Sequence, residues 1–305
     1  MNNPLIYGTT VLVWGSTWLA INYQLGVVPL EVSVFYRYAL AALLLLGFCA
    51  VTGRTLRFNL AEHKLFAGVG ALMFSLNYLM AYAAQQYVSS ALNALIFSCI
   101  LWLNILNARI FLKVRSEREV LLGAAFGMLG IVVLFWPSLS TVEVSDAVLL
   151  GGAFSLMGAL SASLGNILSQ HALTQLPVLQ VNAWGMSYGA LFNLLVCLAL
   201  GRPFLFDPSI AYVGSLLYLV LAGSIVAFVL YLTLVSRIGA HRAGYTVVMF
   251  PVVATLLAVA FEGLELSRWL LAGMALVLTG NVMILRQGKK ASQDTRRFSG
   301  NENSA

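Results

Sequence analysis

Charge is what this sequence has least of. Asp, Glu, Lys and Arg make up 9% of its 305 residues, whereas hydrophobic residues reach 60%. A soluble domain carries about 25% charged and about 45–50% apolar residues, so a cytosolic enzyme is excluded. Cysteine is scarce too. Cys49, Cys99 and Cys197 each stand alone in an apolar stretch, with no C-x-x-C and no nearby His, which excludes a disulfide framework and a zinc site. HExxH, GxSxG and paired intramembrane aspartates are all missing, so no enzyme, metal or cofactor is expected. The 17 basic residues outnumber the 11 acidic ones, but they are scattered between apolar runs and build no face for nucleic acid.

What is present is apolar sequence in long runs. The mean hydropathy is +0.90, and breaking the chain at charges, prolines and polar clusters leaves ten runs of about 17 to 26 residues, each long enough for a transmembrane helix. They cover about 5–24, 30–51, 65–84, 88–108, 120–136, 147–169, 178–200, 210–235, 243–261 and 269–286. Helices are expected, because an unpaired backbone group in hydrocarbon costs several kcal/mol and the alternation of barrel strands is absent. The first run has no Lys or Arg before it and no A-x-A site after it, so it reads as a retained helix and not a cleaved signal. Fourteen Lys and Arg fall on the side of the termini, two (Arg202 and Arg268) on the other, and Arg37 lies within a run. The positive-inside rule then places both termini in the cytoplasm. Residues 288–305, rich in Ser, Asn, Gln, Lys and Arg, read as a disordered cytoplasmic tail.

The chain also repeats itself. Phe111, Arg118, Gly123 and Gly130 recur 150 positions later as Phe261, Arg268, Gly273 and Gly280. Residues 1–140 and 141–287 then hold five runs each, and an odd number of spans inserts the second copy upside down. The fold expected is an all-α polytopic membrane protein, ten transmembrane helices in two inverted five-helix repeats around a central cavity. Such halves can exchange roles and open a midplane site to either side, as a carrier requires. A chance match between Gly-containing apolar helices is the competing explanation.

The stretch WGSTW at 14–18, Pro29, YRY at 36–38, Pro251 in the ninth run, Glu265 fourteen residues on and the Gly273 to Gly280 helix resemble EamA-type permeases of the drug/metabolite transporter superfamily. The resemblance covers about residues 5–286 and, within the superfamily, is similar to bacterial aromatic amino-acid exporters. It implies a multi-pass protein of the bacterial inner membrane that exports small metabolites. The counterparts of Pro251 and Glu265 at the offset of 150 are Leu101 and Arg115, so a strictly symmetric mechanism is not implied.

Helical geometry gathers polar and aromatic residues into stripes, since positions three, four, seven or eleven apart share a face. Ser90, Asn93, Phe97, Asn104 and Asn107 share one; Ser155, Ala159, Ala162, Asn166 and Ser169 another; Thr10, Trp14, Trp18 and Asn22 a third. Ser75, Tyr78, Tyr82 and Gln86 form a fourth, and Ser224, Phe228 and Tyr231 a fifth. The candidate substrate-binding set is Trp18, Tyr78, Tyr82, Asn93, Phe97, Ser155, Asn166, Trp184, Tyr188, Ser224 and Phe228. Amides and hydroxyls would replace water around a zwitterion while aromatic faces hold an apolar or aromatic side chain. Interhelical packing explains the same residues at about 0.6 to 2 kcal/mol per hydrogen bond. Arg37 is a formal charge well inside a run and is either functional or snorkelling toward Glu31. Pro251 is a hinge or a static kink; the family resemblance favours a structural or gating role for Arg37, and Pro251 and Glu265 are grouped with it as gating or structural candidates.

No Asp or Glu lies well inside a run, and His63, His171 and His241 fall near run ends. A facilitative carrier or exchanger without a buried carboxylate relay is therefore expected. A channel would show a repeated filter or a ring of charge. Nucleotide sugars would need more deep positive charge than Arg37, and cationic drugs would need a buried acid. The expected partners are amino-acid substrates and the lipid bilayer, with no nucleic acid, and the chain is expected to act as a monomer.

Overall fold

The computed structural model describes residues 2–88, 90–140, 145–253, 256 and 267–301, with side chains for all of these except 18, 90, 91, 138 and 285–301. The described residues are helical, with no strand. Seven helices among them are long and apolar enough to cross a membrane. These are α1 (Asn3–Asn22), α2 (Leu30–Val51), α3 (Leu60–Gln85), the stretch Leu92–Phe111, α7 (Asp146–Ala172), α8 (Val178–Ala199) and α9 (Ile210–Ile238). The stretch Leu92–Phe111 is broken at Ser98–Cys99 into α4 (Ser90–Phe97) and α5 (Ile100–Phe111). Helix α6 (Arg118–Leu134) has 17 residues. The run expected at 243–261 appears as two single turns, α10 (Ala240–Ala243) and α11 (Tyr245–Val248), followed by helical residues to 253, and its remainder lies largely outside the described residues. Helix α12 (Arg268–Asn301) extends into residues 288–301, part of the segment that the sequence reads as a disordered tail. Ala, Lys, Gln and Arg there are good helix formers and no proline interrupts them.

Polar caps start these helices where the sequence leaves its apolar runs. The Asn2, Ser145 and Ser209 side chains accept the Leu5, Val148 and Tyr212 N–H groups. Asn59 and Glu62 form a reciprocal capping box at the start of α3. Helices α2 and α8 both close on a left-handed glycine, Gly53 (φ 67°) and Gly201 (φ 60°). In each, the next Arg N–H reaches back to a cysteine carbonyl, Arg54 to Cys49 and Arg202 to Cys197.

The same element plan occurs twice. Helix α3 starts at Leu60, winds into a π-helical segment at Gly70–Leu76 and returns to α-helix at Asn77. Helix α9 starts at Ile210, takes the same wide winding at Leu219–Val226 and returns at Ala227. Helices α6 and α12 pack antiparallel, backbone on backbone: a Cβ on Gly123 would stand 2.7 Å from the Gly280 carbonyl, and one on Gly130 would stand 2.8 Å from that of Gly273. Large apolar side chains such as Leu12, Leu43, Leu149 and Leu278 face outward, as a lipid-contacting surface demands.

Candidate functional site

A cavity of about 80 Å³ lies in the middle of the bundle, where both halves of the chain meet. Helix α1 presents Trp14, Thr17 and Ile21; α3 presents Met73, Asn77, Tyr78 and Ala81; α4 and α5 present Phe97 and Ile100 on either side of their break. The second half adds Ala162 and Asn166 from α7, Phe228 and Tyr231 from α9, and Val247 and Phe250. Four pairs in this lining are separated by 150 positions: Tyr78 with Phe228, Ala81 with Tyr231, Phe97 with Val247 and Ile100 with Phe250. Equivalent places in the two halves therefore face one space.

Aromatic rings define its walls. The Trp14 ring meets Phe228 edge-on at 4.7 Å, Tyr231 at 4.9 Å and Phe250 at 5.7 Å between centroids. The wide windings hold this arrangement in place. The Ala227 N–H bonds the Ala222 carbonyl in place of its α-helical partner, Gly223. The Gly223 carbonyl instead accepts the Trp14 indole N–H at 2.9 Å. In the first half the Asn77 N–H likewise bonds Leu72. Its α-helical partner, the Met73 carbonyl, accepts the Asn77 side-chain amide at 3.3 Å. Met73 and Gly223 are again 150 positions apart.

Among the described residues no charged side chain lines the cavity. The Asn166 amide donates to Asn104 Oδ1 at 3.3 Å, and Thr17 returns its hydroxyl to the Trp14 carbonyl. Among the described residues, Asn77 Oδ1 and Tyr231 Oη are buried without a hydrogen-bond partner. Both belong to lining residues, beside the further polar side chains of Thr17, Tyr78 and Asn166. Among the described residues no group of three or more His, Cys, Asp or Glu could hold a metal ion.

One layer behind lies Arg37, which is 1% exposed. Its Nε donates to Ser224 Oγ at 2.9 Å, and its Nη1 to Tyr82 Oη at 3.5 Å. The guanidinium lies over the rings of Tyr78 at 4.6 Å and Tyr38 at 5.3 Å. Snorkelling toward Glu31 does not occur: Glu31 pairs with Arg202 at 3.0 Å, leaving Arg37 turned inward.

Of the residues singled out in the sequence, Tyr78, Phe97, Asn166 and Phe228 line the cavity, and Tyr82 and Ser224 hold Arg37. Asn93 and Ser155 sit elsewhere, tying helices together: Asn93 Nδ2 donates to the Ala81 carbonyl at 2.9 Å and Ser155 Oγ to the Asn93 carbonyl at 3.1 Å. Trp184 and Tyr188 pack on His63 at the start of α3, with Tyr188 Oη 3.0 Å from His63 Nδ1. Pro251 is buried beside Phe250. The Trp18 side chain and Glu265 lie outside the described residues. Asn77, Tyr231, Phe250, Trp14 and Thr17 were not in the candidate set. The Met73, Asn77, Ala81 spacing and the offset of 150 could have found Asn77, Tyr231 and Phe250, and Trp14 and Tyr231 already stand on the polar and aromatic stripes.

Polar contacts join the helices at each end of the bundle. At the end where the chain begins, Gln170 Oε1 accepts the Ala240 N–H at 2.7 Å and Arg242 pairs with Glu117. Beside them His241 is buried, and burial together with the Arg242 charge lowers its pKa from 6.5. At the opposite end Gln24 Nε2 donates to the Tyr212 carbonyl at 3.0 Å and Ser33 meets Tyr212 Oη at 3.0 Å.

Comparison with known proteins places these features in context. Residues 5–136 and 149–286 each match the family described as EamA-like transporter family. An uncharacterized inner membrane transporter, YedA, of Escherichia coli (strain K12) is 26% identical over 282 residues, 91% of this chain and 88% of its own. A Salmonella typhimurium protein named "Probable amino-acid metabolite efflux pump" is 25% identical over 299 residues, covering 88% of this chain and 90% of its own. A solved crystal structure shares the fold with a TM-score of 0.78 at 19% identity, covering 95% of this chain and 98% of that one.

Proposed function

The chain belongs to the EamA-like transporter family and is a multi-pass membrane transporter, and from that premise we propose that it exports or exchanges amino acids with aromatic or apolar side chains by alternating access. The observation that carries this is the cavity itself: aromatic, without charge in its lining, yet holding a free acceptor and a free hydroxyl at Asn77 and Tyr231. A zwitterion with a ring needs apolar walls for the ring and a few polar atoms for its head, and ligand sites are commonly built that way. A cationic drug would be drawn to an acid, and none lines this space. The name of the Salmonella relative points the same way.

The transport cycle follows from the twofold plan. Ten helices in two inverted five-helix halves account for the paired lining positions, the two wide windings and the two stretches that match the family. The contacts of Gln170, Glu117 and Arg242 close the cytoplasmic mouth, and those of Gln24, Ser33 and Tyr212 the outer one; opening one at a time exposes the cavity to alternate sides. Among the described residues no carboxylate lines the cavity itself, and Glu117 at the mouth is held by Arg242, so flux is facilitative or by exchange.

The test is counterflow. Purified protein in liposomes loaded with unlabelled phenylalanine should accumulate labelled phenylalanine transiently and saturably from outside, and Asn77→Leu should slow this by about tenfold, the loss of one polar contact worth about 1.4 kcal/mol. Flux that rises linearly with concentration, or that ignores internal phenylalanine, would refute the carrier reading.

A further inference from the structure

We propose that Arg37 is the docking charge for the carboxylate of the transported solute, so that the protein selects aromatic acids by their carboxylate and not by their amino group. The inference rests on the carrier reading above and adds to it which end of the molecule is recognised, and by what.

An arginine cannot shed its proton inside a protein, and a formal charge in the hydrocarbon region is costly unless it is matched. The two ion pairs among the described residues, Glu31 with Arg202 and Glu117 with Arg242, leave Arg37 out. Its described partners are hydroxyls and ring faces: Ser224 on Nε, Tyr82 on Nη1 at a long 3.5 Å, and the Tyr78 and Tyr38 rings. Five N–H donors meet two acceptors among the described residues. Nη2 points at the α1 and α9 contact: a Cβ placed on Gly223 would lie 3.4 Å from it and 2.9 Å from Thr17 Cγ2. Thr17 and Tyr78 both line the cavity. The uncompensated cation is therefore one side chain away from the space the solute enters, and Tyr78, half-buried between the two, can uncover it by turning about its χ1.

A carboxylate is the anion this geometry suits. Two parallel N–H groups of a guanidinium receive its two oxygens, giving a stronger and more directional contact than neutral hydrogen bonds provide. The ring of the solute then lies among Trp14, Phe228 and Phe250. No acid faces the ammonium, which is left with Asn77 Oδ1 and Tyr231 Oη, neutral atoms that a hydroxyl would satisfy as well. The substrate class is thus 2-amino and 2-hydroxy aromatic acids, with the corresponding amines and amides excluded.

The experiment uses the full chain in liposomes loaded with phenylalanine, and measures how external phenylalanine, 2-hydroxy-3-phenylpropionate, phenylalaninamide and phenethylamine drive its release. The two acids should exchange within about threefold of each other, and the amide and amine at least about tenfold more weakly, as the loss of a charge-assisted contact predicts. Arg37→Gln should erase this ranking by lowering phenylalanine exchange to the level of the amide; Arg37→Lys should restore part of the preference. A merely structural Arg37 would lower all four alike. Equal exchange of amide, amine and acid by the unaltered protein overturns the proposal and leaves the carrier reading standing. Release driven by none of the four overturns both. The ligand series on the unaltered protein decides the matter even if Arg37→Gln does not fold.

Discussion

At the scale of single residues, the hydrogen bonds of the cavity wall separate side chains that build it from side chains that serve it. The Trp14 indole satisfies the Gly223 carbonyl that the wide winding of α9 releases. Trp14→Phe keeps the ring contacts but leaves that carbonyl buried and unpaired, a cost of about 1–3 kcal/mol. Among the described residues Tyr231 Oη is buried without a hydrogen-bond partner, so Tyr231→Phe should cost less stability than the about 1 kcal/mol of a lost hydrogen bond while reducing exchange. Thermal unfolding in detergent beside counterflow would distinguish them: a large loss of stability for Trp14→Phe, a loss of transport with little loss of stability for Tyr231→Phe. Tyr78, Phe97, Asn166 and Phe228, singled out in the sequence, meet one space in the structure. The sequence could not separate them from Asn93 and Ser155, because in lipid the face toward the bundle and the face toward the acyl chains are both apolar and a polar side chain marks packing as readily as binding.

At the scale of helices, the pairing of α6 with α12 depends on the absence of side chains. A Cβ on Gly123 would stand 2.6 Å from Ile284 Cγ1 as well as 2.7 Å from the Gly280 carbonyl. Gly123→Leu should therefore push the two helices apart and cost at least about 1–3 kcal/mol, read as a lower unfolding temperature. The end contacts yield a pH dependence. His241 faces Arg242 and Glu117, and its lowered pKa means that the folded protein holds it neutral where the unfolded chain would protonate it. Stability contributed by this site is complete above about pH 6.5 and declines as pH falls toward the lowered value. Acidification below pH 6.5 should destabilise the unaltered protein more than His241→Gln, as judged by unfolding temperature across a pH series. Most helix starts were legible, since caps and charges mark where chain leaves the membrane. The break at Ser98–Cys99 and the two wide windings were not: neither proline nor glycine marks the break, and a change of winding leaves apolar content unaltered.

At the scale of the whole molecule, the repeat read from Gly123, Gly130, Gly273 and Gly280 involves the residues by which α6 and α12 touch. The sequence also contains a second trace of the repeat, Cys49 to Arg54 and Cys197 to Arg202, each closing its helix on a left-handed glycine. It was hidden because its spacing is 148 and not 150. The distribution of Lys and Arg predicts that both termini face the cytoplasm. Single cysteines introduced at Thr55 and at Asp207 should then differ in intact cells: a membrane-impermeant thiol reagent should label the Asp207 position and spare the Thr55 position, and the reverse result would invert the topology. The mismatch within the paired lining positions has a further consequence. Where one half supplies Tyr78 and Ala81, the other supplies Phe228 and Tyr231, so the phenol group has moved by one helical turn between the copies. The two sides of the cavity are thus built from unlike chemistry, so the exchange proposed above should show a different half-saturation on each face of the membrane, while net movement still follows the solute's own gradient.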